Sequence, residues 1–149
     1  MTIQDQINAD VMTAMKAKDE VSLRTLRGLK SALLLAATSE GAGGKVSDEA
    51  AVKIFQKLAK QRKESLEIYN TQGRADLAKI EAEEITVIEK YLPKQMNEDE
   101  IRKVLKELIT LSGAAGPADF GKVMPQAMKA LAGKADGKVI SALLKEILG

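Results

Sequence analysis

The stretch that decides the fold is residues 47–92, which read SDEAAVKIFQKLAKQRKESLEIYNTQGRADLAKIEAEEITVIEKYL. Its apolar residues recur at three- and four-residue steps, the spacing of one face of a helix. Ser47 suits an N-cap, Gly73 interrupts the pattern and Pro93 follows its end. The stretch therefore predicts two helices, the second over about 75–92, that fold back on each other about Gly73.

Each predicted helix carries a charged residue inside its apolar stripe. The stripes are Ala51, Phe55, Leu58, Leu66 and Tyr69 in the first helix and Leu77, Ile80, Ile88 and Tyr91 in the second. Arg62 falls in the first stripe and Glu84 in the second, and a hairpin about Gly73 makes them face each other. We expect a structural Arg62–Glu84 ion pair that sets the register, with Glu81, one turn away, as the alternative partner.

The rest of the chain repeats the helical spacing, and strand-like alternation is nowhere sustained. Thr2 and Asp19 are N-caps of two helices before the hairpin, and Asn97 caps the first of three helices after it. The sequence predicts an all-α fold of about seven helices in two units. Residues 1–94 form an N-terminal bundle built on two hairpins, and residues 95–149 form a small three-helix C-terminal unit.

Two local features interrupt this pattern. The glycine-rich segment 39–45, SEGAGGK, is interpreted as a linker, because it lacks the spacing of a phosphate loop. Pro125 lies inside the sixth predicted helix, where it removes one backbone hydrogen bond, and we expect a kink there. The ring of Pro125 crowds the carbonyl of Gly121. Because Gly121 has no side chain, the backbone can adjust there more easily.

Composition excludes several classes of function. The 149-residue chain is 45% apolar and 30% charged, with no histidine or cysteine, so the usual zinc ligands, the thiol nucleophile and the imidazole base are all missing. We therefore expect no catalytic residue, no metal and no cofactor. No apolar run is long enough to span a membrane, and no secretory signal is present at the N-terminus. From the lack of cysteine, which excludes disulfides, and the lack of a secretory signal we expect a cytoplasmic protein.

The net charge of +2 is unevenly distributed. Basic bands on the second and third helices are interpreted as solvated faces; they comprise Arg24, Arg27, Lys30, Lys53, Lys57, Lys60, Arg62 and Lys63. In Gly133-Lys-Ala-Asp-Gly-Lys138 two glycines allow close backbone approach, the helix after Asp136 offers free N–H groups, and two lysines supply charge. The segment is either a phosphate-binding turn or an ordinary capped turn with exposed lysines.

Five segments together resemble the YqeY family in order and spacing: LRGLKSA at 26–32, KQRKES at 60–65, YLP at 91–93, GKVM at 121–124 and GKADGK at 133–138. The match spans essentially the whole chain. This family is similar to the C-terminal helical and tail region of GatB, a subunit of the bacterial amidotransferase that converts misacylated Glu-tRNA or Asp-tRNA to the amidated form. The tail of GatB is associated with holding tRNA.

The resemblance implies tRNA contact in the C-terminal unit, at Lys122, Lys129, Lys134, Gly137 and Lys138. It also implies an aminoacyl-tRNA-handling enzyme as a partner, and a family description as a glutamine-dependent carbon–nitrogen ligase. Our leading hypothesis is a non-catalytic module that binds tRNA through phosphates. The alternative is a protein-interaction adaptor or homo-oligomeric module, with an exposed apolar strip formed by Met124, Met128 and Leu131. An enzyme that uses only carboxylates and lysines is a third hypothesis.

Overall fold

The structure is a computed structural model that describes residues 1–39 and 43–149. These residues form seven α-helices and one 3₁₀ turn, Pro117–Asp119, and they contain no strand, so the predicted all-α class is confirmed. The helices are α1 (Ile3–Ala17), α2 (Glu20–Ala37), α3 (Asp48–Thr71), α4 (Ala75–Glu89), α5 (Glu98–Ser112), α6 (Phe120–Ala130) and α7 (Gly137–Leu148). The predicted linker at 39–45 includes residues 40–42, which lie outside the described residues.

Side-chain caps explain where five of these helices begin. The side chains of Thr2, Asp19, Ser47, Asn97 and Asp136 each accept a backbone N–H from the first turn of the following helix. The first N–H groups of a helix have no partner inside it, and such a cap stabilises the helix by about 1 kcal/mol.

Helix α4 is shorter than predicted. It ends at Glu89 rather than at Leu92, and the next residues continue in a tighter turn in which the Tyr91 amide donates to the Ile88 carbonyl at 3.1 Å. Pro93 explains the difference, because a proline disfavours helical backbone in the residue before it.

The chain divides into two compact units, Met1–Leu92 and Pro93–Gly149. In the first unit, helices α1 to α4 enclose a core whose largest fully buried side chains are Ile7, Leu29, Leu33, Phe55 and Ile88. In the second unit, helices α5 to α7 enclose a separate core around Leu105, Val123, Leu131, Ile140 and Leu144.

The core of the first unit does not extend along the whole α3–α4 hairpin. Within the described residues, its buried cluster contains no member between Ala59 and Val87. We call residues 63–83 the hairpin arm. In the arm the apolar stripe is only partly buried, since Leu66, Tyr69 and Leu77 are half-buried and Ile80 is exposed. The core that α1 and α2 form with the hairpin around Phe55 does not include these side chains.

Tyr91 ties the end of α4 to two other helices of the first unit. Its hydroxyl donates a hydrogen bond to the Asp10 carboxylate of α1, and its ring meets Phe55 of α3 edge-on, with centroids 6.1 Å apart. Burial of the phenol and its hydrogen bond to Asp10 raise the pKa of Tyr91 well above the usual range.

Helix α6 continues through Pro125, whose nitrogen cannot donate to the Gly121 carbonyl. The kink expected at this position stays a prediction. The helix is preceded by the 3₁₀ turn Pro117–Asp119, which places a proline at a first position where its missing N–H costs nothing.

Candidate nucleic-acid interface

The predicted site residues lie on α6, on α7 and on the turn between them. Two contacts fix these helices as an antiparallel hairpin: Met128 of α6 lies against Gly137 of α7, and Lys145 Nζ lies 5.7 Å from the centre of the Phe120 ring. Phe120 lies eight residues before Met128, and Gly137 lies eight residues before Lys145. Both contacts therefore fit a single antiparallel register.

This register groups the predicted lysines at two ends of the hairpin. Lys129, at the end of α6, Lys134, in the turn, and Lys138, in the first turn of α7, lie at the connected end. Lys122 lies two helical turns before Lys129 on the same face of α6, about 10 Å away along the axis. Lys122, Lys129 and Lys138 are exposed, and Lys134 is half-buried.

Sequence reasoning missed Lys145, which lies at the Phe120 end of the hairpin. It follows Lys138 by seven residues, as Lys129 follows Lys122, and that repeat was the available signal. The five exposed or half-exposed cations Lys122, Lys129, Lys134, Lys138 and Lys145 are here called the lysine face. In the described part of the chain, none of the five forms an ion pair.

The acidic residues of the same segment are engaged by the chain itself. Between Gly113 and Gly149 the only acids are Asp119, Asp136 and Glu146. Asp119 accepts the Ala115 N–H at 2.9 Å, Asp136 accepts the Lys138 N–H at 3.1 Å, and Glu146 pairs with Arg102 at 3.6 Å. Five lysines and three occupied carboxylates therefore give this segment a positive field.

The turn that carries Lys134 is held by the segment that leads into α5. Gln95 Nε2 donates to the Gly133 carbonyl at 2.7 Å and to the Pro93 carbonyl at 2.9 Å. The Met96 amide donates to the Lys134 carbonyl at 3.0 Å. Gly133 adopts a positive φ of 75°, which favours glycine at this position. These bonds fix the backbone from which the Lys134 side chain extends.

The N-terminus of α7 is less open than predicted. The Lys138 amide is used by the Asp136 side chain, and a Cβ added at Gly137 would come within 3.3 Å of Met128 Cε. The expectation that this turn presents free amide hydrogens is therefore corrected for Lys138, and Met128 lies over Gly137. The hairpin therefore presents mainly lysine ammonium groups to an anion.

The first unit contains a cluster of buried and half-buried charge. Glu84, which is 7% exposed, pairs with Arg62, and Arg24 Nε lies 3.1 Å from Glu84 Oε1. Arg62 Nη1 also lies 3.5 Å from Glu81 Oε2. Within the described residues, the buried Arg62 Nε has no hydrogen-bond partner. The cluster joins α2, α3 and α4, and its carboxylates are neutralised by arginines, so it is structural in character.

Arg24 is the member of this cluster that sequence reasoning missed. The sequence predicts that Arg24 belongs to a solvated basic band with Arg27 and Lys30. All three are exposed in the structure, but Arg24 also contacts Glu84. On α3, Lys63 pairs with Glu89 at 3.0 Å, so the basic band of that helix is also partly neutralised.

The apolar strip expected of an adaptor is not on the surface. Leu131 is fully buried and Met124 is half-buried, so only Met128, 44% exposed, is open to solvent. Leu131 follows Ala127 by four residues and therefore falls on the core face of α6.

Residues 1–39 and 43–149 contain no group of three or more acidic side chains arranged to hold a metal ion. None of their helices combines the length and the hydropathy of a membrane span.

The fold and the lysine face define a class of protein: an all-α protein whose C-terminal unit presents a helical hairpin with lysines that form no ion pair within residues 1–39 and 43–149. The chain belongs to the YqeY family, since the model of the Yqey-like protein family matches residues 4–148.

Curated relatives of the chain are all named "Altered inheritance of mitochondria protein 41, mitochondrial". The relative from Pyrenophora tritici-repentis is 28% identical over 149 residues, which is 97% of this chain and 80% of the relative. The relative from Lachancea thermotolerans is 34% identical over 115 residues, covering 75% of this chain and 60% of the relative. The chain spans less than half, 44%, of the relative from Meyerozyma guilliermondii, to which it is 36% identical over 86 residues.

These names overturn one expectation. All four relatives found are named as mitochondrial proteins, so the cytoplasmic prediction is wrong. That prediction used the lack of cysteine and of a secretory signal, and neither feature identifies a compartment.

Proposed function

We propose that this chain is a non-catalytic module that binds tRNA through its backbone phosphates, with the lysine face of the C-terminal unit as the contact surface. The observation that carries the proposal is the contrast between five lysines that form no ion pair with any described residue and three acids that the chain itself engages. Such a surface attracts a polyanion, and its attraction does not depend on base sequence.

The proposed mode of recognition follows from the chemistry of lysine. An ammonium group is a point charge on a flexible stem, whereas the bidentate readout of guanine is typical of arginine. Lysines at both ends of a rigid hairpin therefore select for the positions of phosphates. The proposal is that the module recognises the shape of folded tRNA and treats different tRNAs alike.

The resemblance to the GatB tail supports a role beside an aminoacyl-tRNA-handling enzyme. In this proposal the module holds the tRNA, and the partner enzyme supplies any carbon–nitrogen ligase chemistry. Lys122, Lys129, Lys134 and Lys138 carry the contact, Lys145 extends it, and Gly137 lets α7 start close to α6.

The test is a binding titration with unfractionated tRNA at several salt concentrations. Contacts with about three to five phosphates, at about 0.7–0.9 released counterions each, give a slope of roughly −2 to −4 for log K against log salt. Lack of tRNA binding at low salt would overturn the proposal.

A matched pair of variants identifies the surface. Lys134→Glu with Lys138→Glu reverses two charges of the lysine face and should weaken binding to all tRNAs alike. Lys103→Glu with Lys106→Glu makes the same charge change at two exposed positions of α5. The proposal requires a clearly smaller effect from the α5 variant, because equal losses would mean that only net charge matters.

A further inference from the structure

The outward face of α2 is basic and apolar, and the proposed tRNA contact does not use it. Leu34 and Leu35 are 59% and 75% exposed, and the exposed Arg27 and Lys30 lie one to two turns before them. Within the described residues, neither Arg27 nor Lys30 forms an ion pair. These four residues are here called the α2 face. Two large leucines beside two unpaired cations are typical of a contact surface.

A glycine lies in the middle of this helix, and no contact among the described residues requires a glycine there. Gly28 is exposed inside α2, and a Cβ added there would meet no atom within 4 Å. A helix-interior glycine costs about 0.5–1 kcal/mol relative to alanine. Its position beside Arg27 fits the close approach of a second helix to the outward side of α2.

The hairpin arm carries a surface of complementary character. Ile68 is 54% exposed, and Glu64 and Glu67 are exposed on the same face of α3. No ion pair in the described part of the chain involves Glu64 or Glu67.

The charges of the two surfaces are opposite. The α2 face carries the exposed cations Arg27 and Lys30, whereas the α3 side of the hairpin arm carries the exposed carboxylates Glu64 and Glu67. Opposite potentials across an interface select the partner and the register of docking. Within one copy the α2 face does not cover the hairpin arm, because Leu34, Leu35 and Ile68 all stay more than half exposed.

We infer that the α2 face of one copy docks on the hairpin arm of a second copy, so that the two copies form a closed dimer. Leu34 and Leu35 then contact Ile68, and Arg27 and Lys30 face Glu64 and Glu67. Each copy carries both surfaces. In a two-fold symmetric dimer both surfaces of each copy are occupied, so no surface remains for a third copy. The interface is small and partly charged, so association is reversible and weakens with salt.

The test measures the mass of the full chain by sedimentation velocity from about 1 to about 300 µM, a range suited to a small reversible interface. We expect a monomer–dimer equilibrium. Arg27→Glu with Lys30→Glu, and separately Glu64→Lys with Glu67→Lys, should each weaken the dimer at least about tenfold through like-charge contacts. Combining the four changes should return the dissociation constant to within about threefold of the wild type.

Two controls keep the result interpretable. Lys53→Glu with Lys57→Glu reverses two exposed lysines of α3 outside both surfaces and should leave the dimer unchanged. Circular dichroism and the urea midpoint show whether each variant is folded. A monomer over the whole range, a dimer insensitive to both charge reversals, a combined variant that does not recover, or growth beyond the dimer would each overturn the inference.

Discussion

Arg24 of α2 and Glu84 of α4 are sixty residues apart in the sequence and joined in the structure, with Arg24 Nε 3.1 Å from Glu84 Oε1. Arg62 of α3 reaches the same carboxylate. A buried carboxylate is costly unless it is paired, and Glu84 has a partner from each of two helices. The α3–α4 register and the position of α2 against α4 therefore depend on one side chain.

Substitution of both arginines should cost more than the two single changes together. Arg62→Leu and Arg24→Leu each leave Glu84 one guanidinium, so each should lower the free energy of unfolding by about 1–2 kcal/mol. The double variant leaves Glu84 buried without a partner and should cost about 3–5 kcal/mol. Both tyrosines of the chain lie in Met1–Leu92, so tyrosine fluorescence during urea unfolding follows this unit.

A third substitution separates the buried charge from lost packing. Adding Glu84→Leu to the double variant removes the stranded carboxylate, and most of the extra loss should be recovered. Simple addition of the two single effects would contradict the shared role of Glu84.

The stability of the first unit should fall at high pH through Tyr91. Burial and the hydrogen bond to Asp10 raise the pKa of Tyr91, so the folded state favours the neutral phenol. This contribution is complete below the ordinary tyrosine pKa of about 10 and is lost as the pH rises from there towards the raised value.

Comparison with Tyr91→Phe isolates this effect. The variant should be less stable at pH 8 by about 1 kcal/mol, the contribution of one hydrogen bond, and the difference should shrink as the pH passes 10. Urea unfolding followed by circular dichroism measures both proteins. A difference that stays constant up to pH 11 would contradict the role assigned to the phenol.

Features that depend on local spacing were predictable from the sequence, and features that depend on tertiary contacts were not. Helical periodicity places Arg62 opposite Glu84, because both lie on one hairpin with a short turn. No spacing rule connects Arg24 to Glu84 across sixty residues. Likewise, the apolar stripe predicted that Ile80 faces a neighbour, but its 39% exposure depends on how far α1 and α2 extend beside the hairpin.

The candidate site shows the same division. The sequence identifies the lysines and the Asp136 cap, which are local features. It does not show that Met128 lies over Gly137, that Gln95 holds the turn or that Lys145 lies over Phe120, because these contacts join distant segments.

Two glycines should respond in opposite ways to the same substitution. Gly28→Ala adds a methyl group in open space on an exposed helix and should stabilise the first unit by about 0.5–1 kcal/mol. Gly73→Ala places a side chain at a φ of +70° and should cost about 1–2 kcal/mol. Urea midpoints from tyrosine fluorescence compare the two variants. A loss of stability in Gly28→Ala would mean that the glycine has an intramolecular role.

Gln95 should affect tRNA binding without contacting phosphate. Its side chain holds the Gly133 carbonyl at 2.7 Å, and the adjacent Lys134 belongs to the proposed contact surface. Gln95→Ala removes the hydrogen bond that holds this side of the turn. Because tRNA binding must then order the turn again, the affinity for tRNA should fall about three- to tenfold. Because no cation is removed, the slope of log K against log salt should stay the same.

Lys134→Gln provides the matched comparison for Gln95→Ala. It removes one phosphate contact and should reduce the salt slope by about 0.7–0.9. Titrations of both variants and the wild type at several salt concentrations separate the two effects. A reduced slope in Gln95→Ala would mean that the turn orients more than one lysine, and an unchanged affinity would mean that the Met96–Lys134 backbone bond holds the turn alone.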